Sequence, residues 1–213
     1  MSIAEDLVAK IAVLDSSAAD LFNPYSDICS SEDHNDSPGI RRENLIRYFV
    51  GQLEKKPEYL WVCEAPGYRG CRRTGLALIS ENLLEKTAKD LGLDGPFRQA
   101  TKTGPVAEYS ANAVWGMIDR VPGIPLVWNA YPLHPFKKGD PLTNRRPRKA
   151  EIEAGRHILM SLVEIFQPRV VVAVGRVAEE LLGEQGLACT YVRHPANGGL
   201  GKFRRGIAEV YNC

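Results

Sequence analysis

Three short stretches put chemically active side chains next to flexible backbone. The first, VCEAPGYRGCRRTG at residues 62–75, leaves the apolar run YLWV and carries one carboxylate, Glu64, with three glycines, a proline and the arginines Arg69, Arg72 and Arg73. The second places Asn129 after IPLVW, ahead of Tyr131-Pro132-Leu133-His134-Pro135. The third is His194-Pro195-Ala196-Asn197-Gly198-Gly199. Each side chain has two readings. Glu64 is either held in a buried ion pair with one of the arginines or placed to act on a ligand. Asn129 either caps the turn after its strand or offers an amide, donor and acceptor together, to the edge of a base. His194 is a turn histidine or an N–H donor for negative charge developing on a leaving group. The PGYRG backbone amides with their arginines suit a phosphate.

The elements that position these residues follow from the apolar pattern. Four short apolar or β-branched runs read as strands: Tyr59–Cys63, Ile124–Trp128, Val170–Val174 and Cys189–Arg193. VVVAV lacks polar alternation, as expected of a strand buried on both faces of a parallel sheet. Helical patterns lie between the strands, over residues 80–92, 148–167 and 176–183, and two more amphipathic helices near 2–21 and 40–55 precede them. Those two are separated by a polar loop, NPYSDICSSEDHNDSPG, with four acids and no base. Strands alternating with helices predict an α/β fold, a three-layer α/β/α arrangement around a central four-stranded, mostly parallel sheet. The chain is expected to form one domain over 1–213, with residues 1–56 supplying N-terminal helices that pack on the core. In such a sheet the loops after the strand C-termini gather on one edge, where ligands bind. Glu64, Asn129 and His194 all fall there.

Charge and composition narrow the function classes. The net charge is only +1, but basic side chains concentrate in three segments. They are residues 69–73, residues 137–149 with Lys137, Lys138, Arg145, Arg146, Arg148 and Lys149, and residues 193–205 with Arg193, Lys202, Arg204 and Arg205. The topology brings all three near one sheet edge, which predicts a basic face on a near-neutral protein. The first loop has no GK[ST] and no GxGxxG, so nucleotide cofactors are disfavoured. The absence of a GxSxG elbow argues against an α/β-hydrolase. Four histidines without HxxxH or HExxH offer no metal site, and five scattered cysteines, Cys29, Cys63, Cys71, Cys189 and Cys213, form no CxxC pair. The odd cysteine count, an N-terminus without a signal-peptide pattern and the lack of an apolar membrane span predict a reduced, cytoplasmic setting.

EAPG after the first strand, an Asn after the second and His-Pro-Ala after the fourth resemble the motif set of the uracil-DNA glycosylase superfamily. TNRRPRKAEI and QPRVVVAVGRVAEELL extend the resemblance to its bacterial iron–sulfur branch, over about residues 59–205 in matching order. The resemblance implies a monomeric DNA-repair glycosylase, acting without cofactor on DNA with a damaged base. Glu64 and His194 would be catalytic, and His194 would bond the base oxygen as the glycosidic bond breaks. Asn129, with Ala65, Gly67, Tyr68 and Leu78, would receive the extruded base. Arg69, Arg72, Arg73, Arg145, Arg146, Asn197, Gly198 and Lys202 would hold the DNA strand, with Leu200 as a wedge in the vacated stack. The chain departs from the family at several points. Ala65 stands where familiar members have a water-positioning Asp, leaving Glu64 as the nearest carboxylate and His134 as another candidate. Gly67 replaces the tyrosine that excludes thymine. Leu78 replaces a stacking aromatic, for which Tyr68 or Tyr131 could substitute. The four cluster cysteines are missing, so no iron–sulfur cluster is expected. Two alternatives remain: a non-catalytic nucleic-acid-binding member of the fold, and an enzyme of free nucleosides or nucleotides.

Overall fold

A computed structural model describes residues 1–212; Cys213, counted with the thiols above, lies outside the described residues. In chain order the helices are α1 (Ile3–Ala12), α2 (Ser37–Lys55), α3 (Cys71–Thr74), α4 (Leu84–Asp90), α5 (Tyr109–Ile118), α6 (Lys149–Phe166), α7 (Arg176–Glu184) and α8 (Leu200–Tyr211). The strands are β1 (Leu21–Phe22), β2 (Tyr59–Cys63), β3 (Leu126–Asn129), β4 (His134–Pro135), β5 (Val170–Val174) and β6 (Thr190–Val192). Four of them make the central sheet in the order β3-β2-β5-β6, parallel throughout. The register sets Cys63 beside Asn129 and Val62 beside Ala173, so the two strand ends that carry candidate residues lie next to each other. No helix among the described residues is long and apolar enough to cross a membrane.

The strand pleat assigns the layers. Trp61 points to one face, where its ring meets Phe203 of α8 edge-on at 6.2 Å. Trp128 points to the other face, against Phe49 of α2 at 5.5 Å, and Phe49 in turn meets Phe166 of α6 at 6.1 Å. Side chains alternate along a strand, so a helix layer on each face buries both sets. Of these five rings, all but Phe166 are fully or almost fully buried. Tyr48 adds a polar tie, its hydroxyl accepting the Val127 N–H at 2.9 Å.

Several expected boundaries move, each for a local reason. The helix expected over 2–21 ends at Ala12, where the chain turns: Asp15 Oδ1 accepts the Ser17 N–H at 2.9 Å. Beyond that turn, β1 pairs antiparallel with β4. The stretch expected to be one helix over 80–92 is a 3-10 turn, Glu81–Leu83, followed by α4, and Ser80 donates to Asn82 instead of capping. The segment after the His194–Gly199 loop, for which no helix was expected, enters α8 at Leu200. Phe203, Ile207 and Tyr211 bury one side of it and Lys202, Arg204 and Arg205 keep the other side exposed. Sequence reading left α5 out entirely, although Ala111, Val114, Trp115 and Ile118 give it a buried stripe at helical spacing.

Candidate active site

The strand ends are bound to one another before any side chain is considered. The Ala130 N–H donates to the Cys63 carbonyl at 2.7 Å and the Tyr131 N–H to the Glu64 carbonyl at 3.1 Å, which fastens the loop after β3 to the loop after β2. The Gly175 N–H donates to the Val192 carbonyl at 2.8 Å and sets the start of the His194 loop. His194 is held close by Gly199, since a Cβ on Gly199 would collide with the His194 carbonyl oxygen. These loops enclose a cavity of about 360 Å³ whose wall includes Glu64, Ala65, Gly67, Leu78, Glu108 and His194.

His194 is set up as a neutral donor. Its Nδ1 accepts the Ala196 N–H at 3.2 Å, so the ring proton sits on Nε2, which has no partner among the described residues. Burial, and after it the Arg193 guanidinium, hold the imidazole below its ordinary pKa. Glu64 is only partly exposed, and burial raises its carboxyl above the usual range against the opposing pull of Arg146. No hydrogen bond or ion pair engages that carboxyl among the described residues. Of the two readings open to Glu64, the buried ion pair with a loop arginine is therefore not the one adopted.

Asn129 is 1% exposed and sits behind the cavity floor: its Nδ2 faces Cys71 Sγ at 3.8 Å, while its Oδ1 has no hydrogen-bond partner among the described residues. Cys63 and Cys71 stand between it and the open space, and burial first of all raises the Cys71 thiol to about 12, so both are neutral walls. Leu78 lines the cavity with φ +52, a left-handed conformation that costs a branched residue about 1–3 kcal/mol. That conformation leaves an apolar side chain on the cavity wall. Neither expected aromatic is on the wall. Tyr68 turns its ring to the Arg69 guanidinium at 5.8 Å, and buried Tyr131 packs beside Gly155 of α6.

Two arginines leave the expected DNA-binding set. Arg72 and Arg73 are 1% and 2% exposed and bind Glu32; Arg73 also bonds Glu81 at 2.9 Å and Thr101 at 2.9 Å. Glu32 comes from the acidic N-terminal loop, whose other acids turn elsewhere: Asp33 pairs with Arg41, Asp27 accepts the Asn23 N–H, and Asp36 lies 3.9 Å from Arg98. Burial would raise the Glu32 carboxyl, but hydrogen bonds from Arg72 and then Arg73 leave it lowered. Arg145 is likewise engaged, with Asp20 at 3.2 Å and Glu151 at 2.7 Å, though it reaches the cavity wall. Arg146 is half-exposed and pairs with Glu180 at 2.7 Å. Arg69, Asn197, Gly198 and Lys202 are exposed, the middle two in consecutive left-handed conformations.

His134 also leaves the candidate set. It is fully buried and its Nδ1 donates to the Pro66 carbonyl at 2.7 Å, which braces the EAPG turn from behind. Burial holds its pKa at about 4, so it is neutral in ordinary buffers. Leu200 is partly buried and packs against the core from the first turn of α8, which removes it as an exposed wedge. Three wall residues were not read from the sequence: Glu108, Ser110 and Asn144. Asn144 Oδ1 accepts the Tyr68 N–H at 3.0 Å and ties down the glycine loop. Glu108 and Ser110 stand at the start of α5, and that helix's apolar spacing was the signal for them.

A four-stranded parallel sheet between helix layers, with a pocket of this make-up at its C-terminal edge, defines a class of protein. Residues 50–210 match the Uracil DNA glycosylase superfamily, and the chain belongs to that family. The crystal structure of wild-type SMUG2 from Pedobacter heparinus is similar in fold, with a TM-score of 0.63, 12% identity and complete coverage of both chains. No curated protein matches the sequence.

Proposed function

We propose that the chain is a DNA glycosylase that hydrolyses the N-glycosidic bond of uracil or a related deaminated base and leaves an abasic site, using no metal or cofactor. One observation carries the reading: a neutral His194 with a free Nε2–H shares a cavity wall with Glu64, an unpaired carboxyl. Breaking the bond leaves negative charge on the base and positive charge on the sugar. The Nε2–H stabilises the first as it develops, and ionised Glu64 the second. Asn129 keeps an amide oxygen that no described group satisfies, and it would reach a base edge once the Cys63 and Cys71 side chains in front of it move aside. Leu78 supports the base from one side in place of a ring.

The test is single-turnover cleavage of a uracil-containing oligonucleotide by Glu64→Gln and His194→Ala proteins. Each is expected to be slower by about 10²–10³-fold, the usual cost of losing one charge-stabilising group, with the melting temperature little changed. A wild-type rate in either would remove that residue from the chemistry. A second reading, an enzyme of free nucleosides, gains from the burial of Arg72 and Arg73, because fewer arginines remain to hold a DNA strand.

A further inference from the structure

Resting on the glycosylase reading, we propose that Glu108 is the general base of the reaction, the group that holds the attacking water and takes its proton. Four observations converge on it. Glu108 lines the same cavity as Glu64 and His194. Its carboxyl lies over the glycine loop: a Cβ on Gly67 would collide with Oε1 and one on Gly70 with Oε2. Glycine at both positions therefore makes room for this carboxyl, which occupies the space a side chain at residue 67 would have filled. No hydrogen bond or ion pair engages it among the described residues, although it is the N-cap of α5, where a shorter side chain would bond back to the helix. A carboxyl removed from bulk water and left without a partner is costly to keep unless a substrate or a water completes it.

The groups facing it set its charge. Burial pushes its pKa up to about 7, opposed by the Arg69 guanidinium, with the buried neutral thiols of Cys63 and Cys71 alongside. Glu64, Arg145, Arg146 and His194 border the same space. The unsatisfied amides at the start of α5 favour the ionised form as it appears. A base poised near neutrality both ionises readily and accepts a proton with useful driving force. In the step, one water O–H bond breaks and its proton passes to Glu108. The water oxygen bonds to the sugar carbon, and the electron pair of the broken carbon–nitrogen bond leaves with the base, held by the His194 Nε2–H. Glu108 then returns its proton to solvent or to the departing base. This divides the work between two carboxyls: Glu64 faces the cationic sugar, Glu108 the water.

The experiment is the pH profile of single-turnover uracil excision for wild type, Glu108→Gln and Glu108→Ala, with melting temperature and substrate affinity measured alongside. A general base works ionised, so the wild-type rate should rise with pH through about 7 and level off above it. Glu108→Gln should be about 10²–10⁴-fold slower, flat across that range, and unchanged in affinity for the DNA. Added formate should partly restore Glu108→Ala and not Glu64→Ala, which a purely structural role would not produce. A wild-type rate in Glu108→Gln, or a rise through pH 7 that survives in it, overturns the assignment while leaving the glycosylase reading intact. Should Glu108→Gln fail to fold, Glu108→Asp decides: a slower rate with the limb retained supports the assignment, and an unaltered rate overturns it. A wild-type protein that excises no base from any oligonucleotide overturns both.

Discussion

His134 shows how a residue suited to chemistry can instead be bound up in holding the chemistry in place. Its Nδ1–H satisfies the Pro66 carbonyl, so replacement by Phe strands a buried acceptor and should cost about 1–3 kcal/mol of stability. Its pKa gives a second signature. The ring titrates near 6.5 in the unfolded chain and at about 4 when folded, so between those values the unfolded chain binds more protons. Stability is therefore full above about pH 6.5 and falls as pH drops toward 4. Denaturant titrations at several pH values should show this slope in wild type and a shallower one in His134→Phe; equal slopes would mean the histidine is not protected as described. Glu64, Asn129 and His194 were legible because each lies at or within two residues of a strand's C-terminal end, where topology alone fixes a position. Glu108 was not, because its place depends on how close α5 comes to a glycine loop far from it in sequence.

The RGCRR turn carries a different lesson, since its arginines behave as a structural element joined to another element. α3 is a single turn, and Arg72 and Arg73 anchor it to Glu32, Glu81 and Thr101. Removing one partner of a buried pair leaves its counter-charge uncompensated. Arg73→Ala is expected to destabilise the fold by about 3–5 kcal/mol, measured by chemical denaturation, while affinity of the protein still folded for DNA stays within a few-fold. Unaltered stability with weakened DNA binding would return Arg73 to the phosphate-contacting surface. The burial could not be read from charge clustering, because a run of arginines looks the same in solvent as against an acidic loop. The two acidic partners lie on opposite sides of it in sequence, and only the folded contacts join them. By contrast β5 was legible to the residue, because five consecutive apolar, mostly β-branched residues fit only the middle of a parallel sheet.

Across the whole molecule, the basic face is smaller than the sequence suggested and is moved toward α8. Arg72, Arg73 and Arg145 are engaged within the protein, while Lys202, Arg204 and Arg205 are exposed in the first half of α8, next to the His194 loop. That loop and helix are where a phosphate backbone is expected to run. Lys202→Ala combined with Arg204→Ala should weaken binding to every DNA sequence alike and lower the salt slope by about one per lost phosphate contact. Retained binding with the same slope would place the DNA elsewhere. The layered architecture was legible because strand and helix periods alternate clearly from Tyr59 onward, and the position of the pocket followed from it. The charge of the pocket surround was not legible, since it is decided by which ion pairs close.

The most direct test of the glycosylase reading uses wild-type protein and labelled oligonucleotides that differ at one position: uracil, thymine, hypoxanthine or xanthine, with alkali to cleave any abasic site formed. Cleavage at uracil or another deaminated base, without added metal and suppressed by rising salt, is the predicted result. Intact strands in every case, with DNA still bound, would contradict it and leave a binding protein built on a glycosylase fold.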